Sequence, residues 1–487
     1  MADRAGDTGP GGGQGGLRPS CALPYNGPMK PALSFTPPAR QGHAASGQPV
    51  KRRAVLFIPG YDPAGETRYR MLFVREFIRY AKRFGLSRRE VSAVEPLPAV
   101  PGLRWQVAAA AAGWETHTTY DVLRWDDIVL RDFRRPLLIG IPLLMAGLAH
   151  SLITGTLFRF FRLNWKFGGV ILYPAVVILV ALLACLGLGL LVSHLLVVLA
   201  PAPAFGRAAL VAGVAGLSFC LFYPLGERWF VWHLMHDWVS NWQHGMGWRP
   251  DHEERVAQFA AHLQAVCAQP DVDEVLVVGH SSGATLAVDV VAVALEGDPN
   301  LPGAGGRLCL MTVGSCVPLV AENPFARRYR ERLERLMSDP GLLWVEYQAP
   351  QDWMNFPGWN PARELNLAGA ATMPNPVVRS ARFKETVAEQ TYRRMVFKPF
   401  RMHFQFLVAN DHPGEYDFVM IAAGPLSLAD RVLLGPASAE AVFGAGVAGY
   451  APDASEIAAA EAGRREVSGI EVPPASADSV DEHPAPR

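Results

Sequence analysis

The residues with the clearest capacity for chemistry are Gly279-His280-Ser281-Ser282-Gly283, a G-x-S-x-G pattern. The apolar run EVLVVGH (Glu274–His280) leads into it and the helix-forming run ATLAVDVVAVAL (Ala284–Leu295) leads out. Glycines at 279 and 283 let the chain turn sharply from strand to helix. The turn leaves Ser281 in a strained conformation with its hydroxyl exposed, as a nucleophile requires. The helix start behind it offers free N–H groups and a positive dipole end to a developing oxyanion, through Ser282 first.

This strand, elbow and helix resemble the nucleophile region of the α/β-hydrolase superfamily. The resemblance implies a mostly parallel sheet, a Ser-His-acid triad and a second oxyanion donor in the loop after an early strand. Phe57-Ile58-Pro59-Gly60-Tyr61-Asp62-Pro63 occupies that loop, with Pro59 where many members carry His. Gly60 permits close backbone approach, and the Tyr61 N–H is the expected donor beside that of Ser282. The family's chain order, Ser then acid then His, points to Asp352, just past the strand GLLWVEYQ, with Glu346 inside that strand as the alternative. For the base, His403, His412 and His483 lie downstream. His483 falls in a polar tail. His403 sits in the apolar segment FRMHFQFL, which suits a held imidazole, and His412 sits in the turn NDHPG as the alternative.

The elements that must position these residues alternate. Strands are expected at Arg53–Pro59, Thr119–Trp125, Asp273–Gly279, Leu308–Val313 and Leu342–Gln348. Helices are expected at Thr67–Phe84, Asp251–Ala268, Gly283–Leu295 and Pro324–Met337, with Asp251 and Glu254 forming a capping box. The alternation predicts an α/β fold with a mostly parallel sheet.

A charge-poor block interrupts it. Between Pro136 and Glu227 the charged residues are Arg159, Arg162, Lys166, Arg207 and Glu227, whereas 18% of the whole chain is charged. Gly168–Ala200 and Ala208–Gly226 are long and apolar enough to form a membrane-crossing hairpin joined by Pro201–Arg207. Pro136–Phe158 is then a re-entrant or interfacial segment. Arg159, Arg162, Lys166 and Arg228 flank the hairpin on one side, which the positive-inside rule assigns to the cytoplasm. Trp229, Trp232, Trp238, Trp242 and Trp248 read as an interfacial aromatic belt. His233, His236 and His244 lie among them without the carboxylates of a metal site.

Five segments result: a Gly/Pro-rich arm over 1–50, a first α/β part over 51–135, a transmembrane and interfacial insertion over 136–250, a second α/β part over 251–435, and a polar tail over 451–487. The 487 residues carry 45 Lys+Arg and 45 Asp+Glu. That balance lacks the basic excess of a general nucleic-acid binder. The six cysteines show no CxxC pair, so neither a disulfide framework nor a zinc site is indicated. The expectation is a membrane-anchored serine hydrolase acting on carboxylic esters, lipid-like ones first, with the bilayer as its partner and no cofactor. An acyltransferase on the same scaffold and a non-catalytic hydrolase-like scaffold are the alternatives.

Overall fold

A computed structural model describes residues 48–111, 113–199, 203–303 and 307–444. Almost all of the expected N-terminal arm and all of the C-terminal tail, with Cys21 and His483, lie outside the described residues. Nine strands among the described residues form one mixed sheet: β1 (Arg52–Ile58), β2 (Arg88–Val91), β3 (Glu95–Pro96), β4 (Gly102–Ala111), β5 (Trp114–Leu123), β6 (Glu274–His280), β7 (Leu308–Val313), β8 (Leu343–Gln348) and β9 (Val377–Ser380). Their order is β2-β4-β5-β1-β6-β7-β8-β9, with β3 beside β4. From β5 to β9 every neighbour pair is parallel, and β2, β3 and β5 each run antiparallel to β4. The α/β expectation holds, and the sheet is mostly parallel.

The period of two along β1 divides its side chains between two cores. Ala54, Leu56 and Ile58 join one face, and Val55 and Phe57 the other. All seven residues of β6 are buried, as expected of a strand covered on both faces. The register of β1 and β6 places Ile58 opposite Gly279. The loop after β1 and the elbow after β6 therefore meet at the carboxyl edge of the sheet, where open α/β sheets bind ligands.

Helix α1 (Gly65–Arg83) follows β1. Between β5 and β6 the chain runs through α2 (Asp126–Phe133), α3 (Leu137–Ile153), α4 (Thr156–Leu163), α5 (Trp165–Leu199), α6 (Ala204–Arg228), α7 (Val231–Gly245) and α8 (Pro250–Cys267); α9 (Gly283–Gly297) follows β6. Because β5 and β6 flank β1, chain from both sides of this insertion builds a single sheet. Helices α5 and α6 are each long and apolar enough to cross a membrane. They pack on one another closely enough that a Cβ at Gly189 would lie 2.6 Å from the Val211 carbonyl oxygen. Phe167, Ile171 and Ile178 of α5 are buried in the protein core, whereas Leu179, Val180 and Leu183 beyond them are exposed. Residues 200–202 between the two helices lie outside the described residues.

The segment Pro136–Phe158 folds as α3 and the start of α4, with a 104° bend between α2 and α3. Its small residues face α7: a Cβ at Gly140 or Gly147 would lie 3.1 Å from Met235 or Trp242. Its opposite side leaves Leu138 and Ile153 exposed.

Several sequence expectations change. Trp232, Trp238 and Trp242 are buried on α7, packing on Phe219 and Tyr223, on Phe160 and on His150 respectively, leaving Trp229 and Trp248 exposed. The aromatic cluster is chiefly a packing seam, because α7 has no exposed residue and is packed among α3, α5 and α6. Helix α8 starts one residue earlier than expected, at Pro250, which favours the first helical position. Asp251 consequently lies inside the first turn and pairs with Arg249 at 2.9 Å instead of capping. Strands β2, β3, β4 and β9 have no counterpart among the expected strands: the alanine run in β4 shows no alternation, and β9 is only four residues long.

Candidate active site

Ser281 has φ = +56°, in the left-handed region that a residue with a Cβ enters at about 1–2 kcal/mol. Its surroundings hold it there. Its N–H donates to the Val313 carbonyl at 3.1 Å, and its carbonyl accepts from Ala284 N–H at 3.0 Å and Cys316 N–H at 3.1 Å. Both flanking glycines are sterically required. A Cβ at Gly279 would lie 2.5 Å from the Ala284 Cα, and one at Gly283 would lie 2.1 Å from the Pro59 carbonyl oxygen. The elbow thus packs directly under the end of β1, and a Cβ at Gly60 would come within 3.0 Å of the Ser281 Cβ.

The loop after β1 is anchored from several sides. The Trp125 indole donates to the Pro59 carbonyl at 2.9 Å, and the Tyr61 hydroxyl donates to Asp132 at 3.0 Å. Asp132 also accepts from Arg249 at 2.8 Å. The Gly60 amide interacts with the Tyr69 hydroxyl, so Gly60 serves the site through close approach, and the amides of Tyr61 and Ser282 stand as the oxyanion candidates.

Asp352 lies in the turn after β8 and is fully buried. Its Oδ2 stands 2.7 Å from Nδ1 of His403, which is carried on the short helix Pro399–Phe404. Met354 N–H donates to its Oδ1 at 2.9 Å and Asn355 Nδ2 to its Oδ2 at 3.0 Å. With a carboxylate at Nδ1, that nitrogen carries the proton and Nε2 presents a lone pair. Nε2 is buried and has no hydrogen-bond partner in the protein. Ser281 and His403 line the same cavity, of about 100 Å³. Gly314, at φ = +53°, gives the imidazole room, since a Cβ there would lie 2.9 Å from its Cε1.

The alternatives lie elsewhere. Glu346 is buried in β8, accepts from the Thr312 hydroxyl, and is pushed by burial up to about 8. His412 donates its backbone N–H to Thr386 and is not among the residues lining the cavity. Its neighbour Asp411 ties Arg83 and the Ala388 amide. His280 packs its ring 4.8 Å from that of His403, and burial holds it well below the ordinary histidine range, hence neutral.

The cavity also contains residues that sequence reasoning did not select. Asp237 on α7 accepts from the Ser282 hydroxyl at 2.7 Å and from Asn241 at 2.9 Å, and burial raises it to about 6. His233 and His236 line the same wall, and burial lowers both to about 4. Their spacing at i, i+3 and i+4 puts all three on one helical face, which is the signal the sequence offers for them. Phe230, Phe400 and Phe404 complete the apolar side; the Phe230 and Phe400 rings stack at 4.1 Å. The Cys316 thiol lies 3.7 Å from the Ser281 hydroxyl and is pushed up by burial, so it is protonated at neutral pH. Comparison with protein-family models, curated proteins and solved structures finds no match.

Proposed function

We propose that this protein is a membrane-anchored serine hydrolase of the α/β-hydrolase type, cleaving carboxylic esters of amphiphilic, lipid-like molecules. The observation that carries the reading is the His403 imidazole, bonded at Nδ1 to Asp352 and unpartnered at Nε2, in one cavity with the strained Ser281. Ser281 Oγ attacks the ester carbonyl carbon while His403 Nε2 takes its proton. Asp352 holds the tautomer and stabilises the imidazolium. The N–H groups of Tyr61 and Ser282 receive the oxyanion. The tetrahedral intermediate collapses, and the alcohol leaves with the proton from His403. Water then attacks the acyl-enzyme by the same route, releasing the acid and restoring Ser281.

The apolar hairpin α5–α6 anchors the enzyme, with the sheet domain on the cytoplasmic side, where Arg159, Arg162, Lys166 and Arg228 lie. Tyr223 and Glu227 from the end of α6 line the cavity. A hydrolase whose anchor helix reaches its own substrate cavity is placed to meet amphiphiles dissolved in the bilayer. A fluorophosphonate probe tests the reading: wild type becomes labelled at Ser281, and Ser281→Ala is not. Absence of labelling in folded wild-type protein overturns the serine-hydrolase assignment.

A further inference from the structure

Among the described residues lining the cavity, three carry carboxylates, Asp62, Glu227 and Asp237, and one carries a guanidinium, Arg68. Arg68 is already committed, with its Nη1 2.8 Å from Asp62 Oδ2. Asp237 uses Oδ1 for Ser282 and Asn241, and its Oδ2 has no bond among the described residues. His233 and His236 add no positive charge at neutral pH, because burial holds them near 4. The basic residues at the foot of the hairpin, Arg228 included, do not line this space. A phosphate or carboxylate brought in beside Ser281 would therefore meet two carboxylates without a free cation, in surroundings where Coulomb repulsion is poorly screened. A hydroxyl would find acceptors in Asp237 and the neutral imidazoles, and a quaternary ammonium would find carboxylates and aromatic faces.

From this charge arrangement we infer that the cavity selects esters whose head group is uncharged or cationic and rejects those bearing phosphate or carboxylate next to the scissile bond. The inference rests on the ester-hydrolase reading and adds its substrate class. Three esters of one acyl chain, on glycerol, on choline and on glycerol 3-phosphate, are compared with the full-length protein in a neutral detergent at fixed ionic strength. The expected kcat/KM for the first two exceeds that for the third by about 10-fold or more, and Asp237→Asn narrows the gap several-fold. Equal turnover of the phosphate ester, or a preference for it, overturns the inference while leaving the hydrolase reading intact.

If Ser281 is labelled by fluorophosphonate but none of the three esters turns over, chain-matched 1-O-alkylglycerol, alkyltrimethylammonium and alkyl phosphate are tested for slowing the labelling. If wild type is not labelled, the hydrolase reading has failed separately, and thermal stabilisation by these same amphiphiles ranks them. In either assay, weaker action of the alkyl phosphate supports the selection, and equal or stronger action overturns it.

Discussion

Replacing Asp352 by Asn changes no volume and removes one charge, and the hydrogen bonds around the carboxylate determine the effect on catalysis. Oδ1 accepts from the Met354 amide at 2.9 Å, and Oδ2 faces His403 Nδ1 at 2.7 Å and Asn355 Nδ2 at 3.0 Å. In Asp352→Asn the amide oxygen stays with the Met354 N–H, because turning it away would leave that buried donor with no acceptor at about 1–3 kcal/mol, whereas Asn355 Nδ2, which then loses its acceptor at Oδ2, keeps the Ala349 carbonyl at 3.0 Å. The new NH2 then points at His403 and donates to Nδ1. The imidazole proton moves to Nε2, and the lone pair that should accept the Ser281 proton is gone. A wrong tautomer in a triad lowers kcat by about 10⁴-fold, or roughly 5.5 kcal/mol of barrier at 1.36 kcal/mol per factor of ten. Hydrolysis of a p-nitrophenyl ester and the rate of fluorophosphonate labelling both read this loss. The melting midpoint should stay within a few degrees, since the shape is preserved. A loss below 10-fold in a folded variant refutes the reasoning, because His403 would then keep its working tautomer without Asp352.

Three further outcomes are expected. His403→Ala should cut ester hydrolysis about 10³-fold or more, and His412→Ala at most about 10-fold; the reverse pattern in kcat/KM would reassign the base. Burial raises Asp237 from 3.8 to about 6, so the folded protein binds this proton more tightly than the unfolded chain. The resulting penalty is absent below about pH 4 and complete above about pH 6, so stability falls by about 3 kcal/mol as pH rises through that window. Asp237→Asn should flatten this part of the profile in melts at pH 4.5 and 7.5, and an unaltered difference would count against the burial argument. Replacing residues 183–217 with a short Gly/Ser linker spares Phe167, Ile171 and Ile178 in the core. The shortened protein should appear in the supernatant after a carbonate wash and still label at Ser281; persistence in the membrane pellet would place the anchor elsewhere.

Local chemistry makes the elbow legible from the sequence alone. Two glycines, a serine, an apolar run ahead of them and a helix former after leave the chain few ways to turn, and Ser281 at φ = +56° is the outcome. The apolar hairpin is equally legible, because crossing a bilayer depends on length and apolarity along one helix. The α/β alternation comes from strand-length apolar runs such as β6. By contrast, β2–β4 lie at an antiparallel edge where alanines supply no alternating pattern, and the cap at Asp251 depends on where Pro250 starts its helix. The choice of Asp352 over Glu346 and of His403 over His412 requires two segments 51 residues apart to meet across the carboxyl edge of the sheet. Asp237 requires more: α7 has to return from the hairpin and lay one particular face against Ser282. Strand and helix patterns are set by neighbours along the chain, so they can be read residue by residue. An active-site wall is set by which helical faces the packed core brings together, and those meetings of distant segments exist only in the folded molecule.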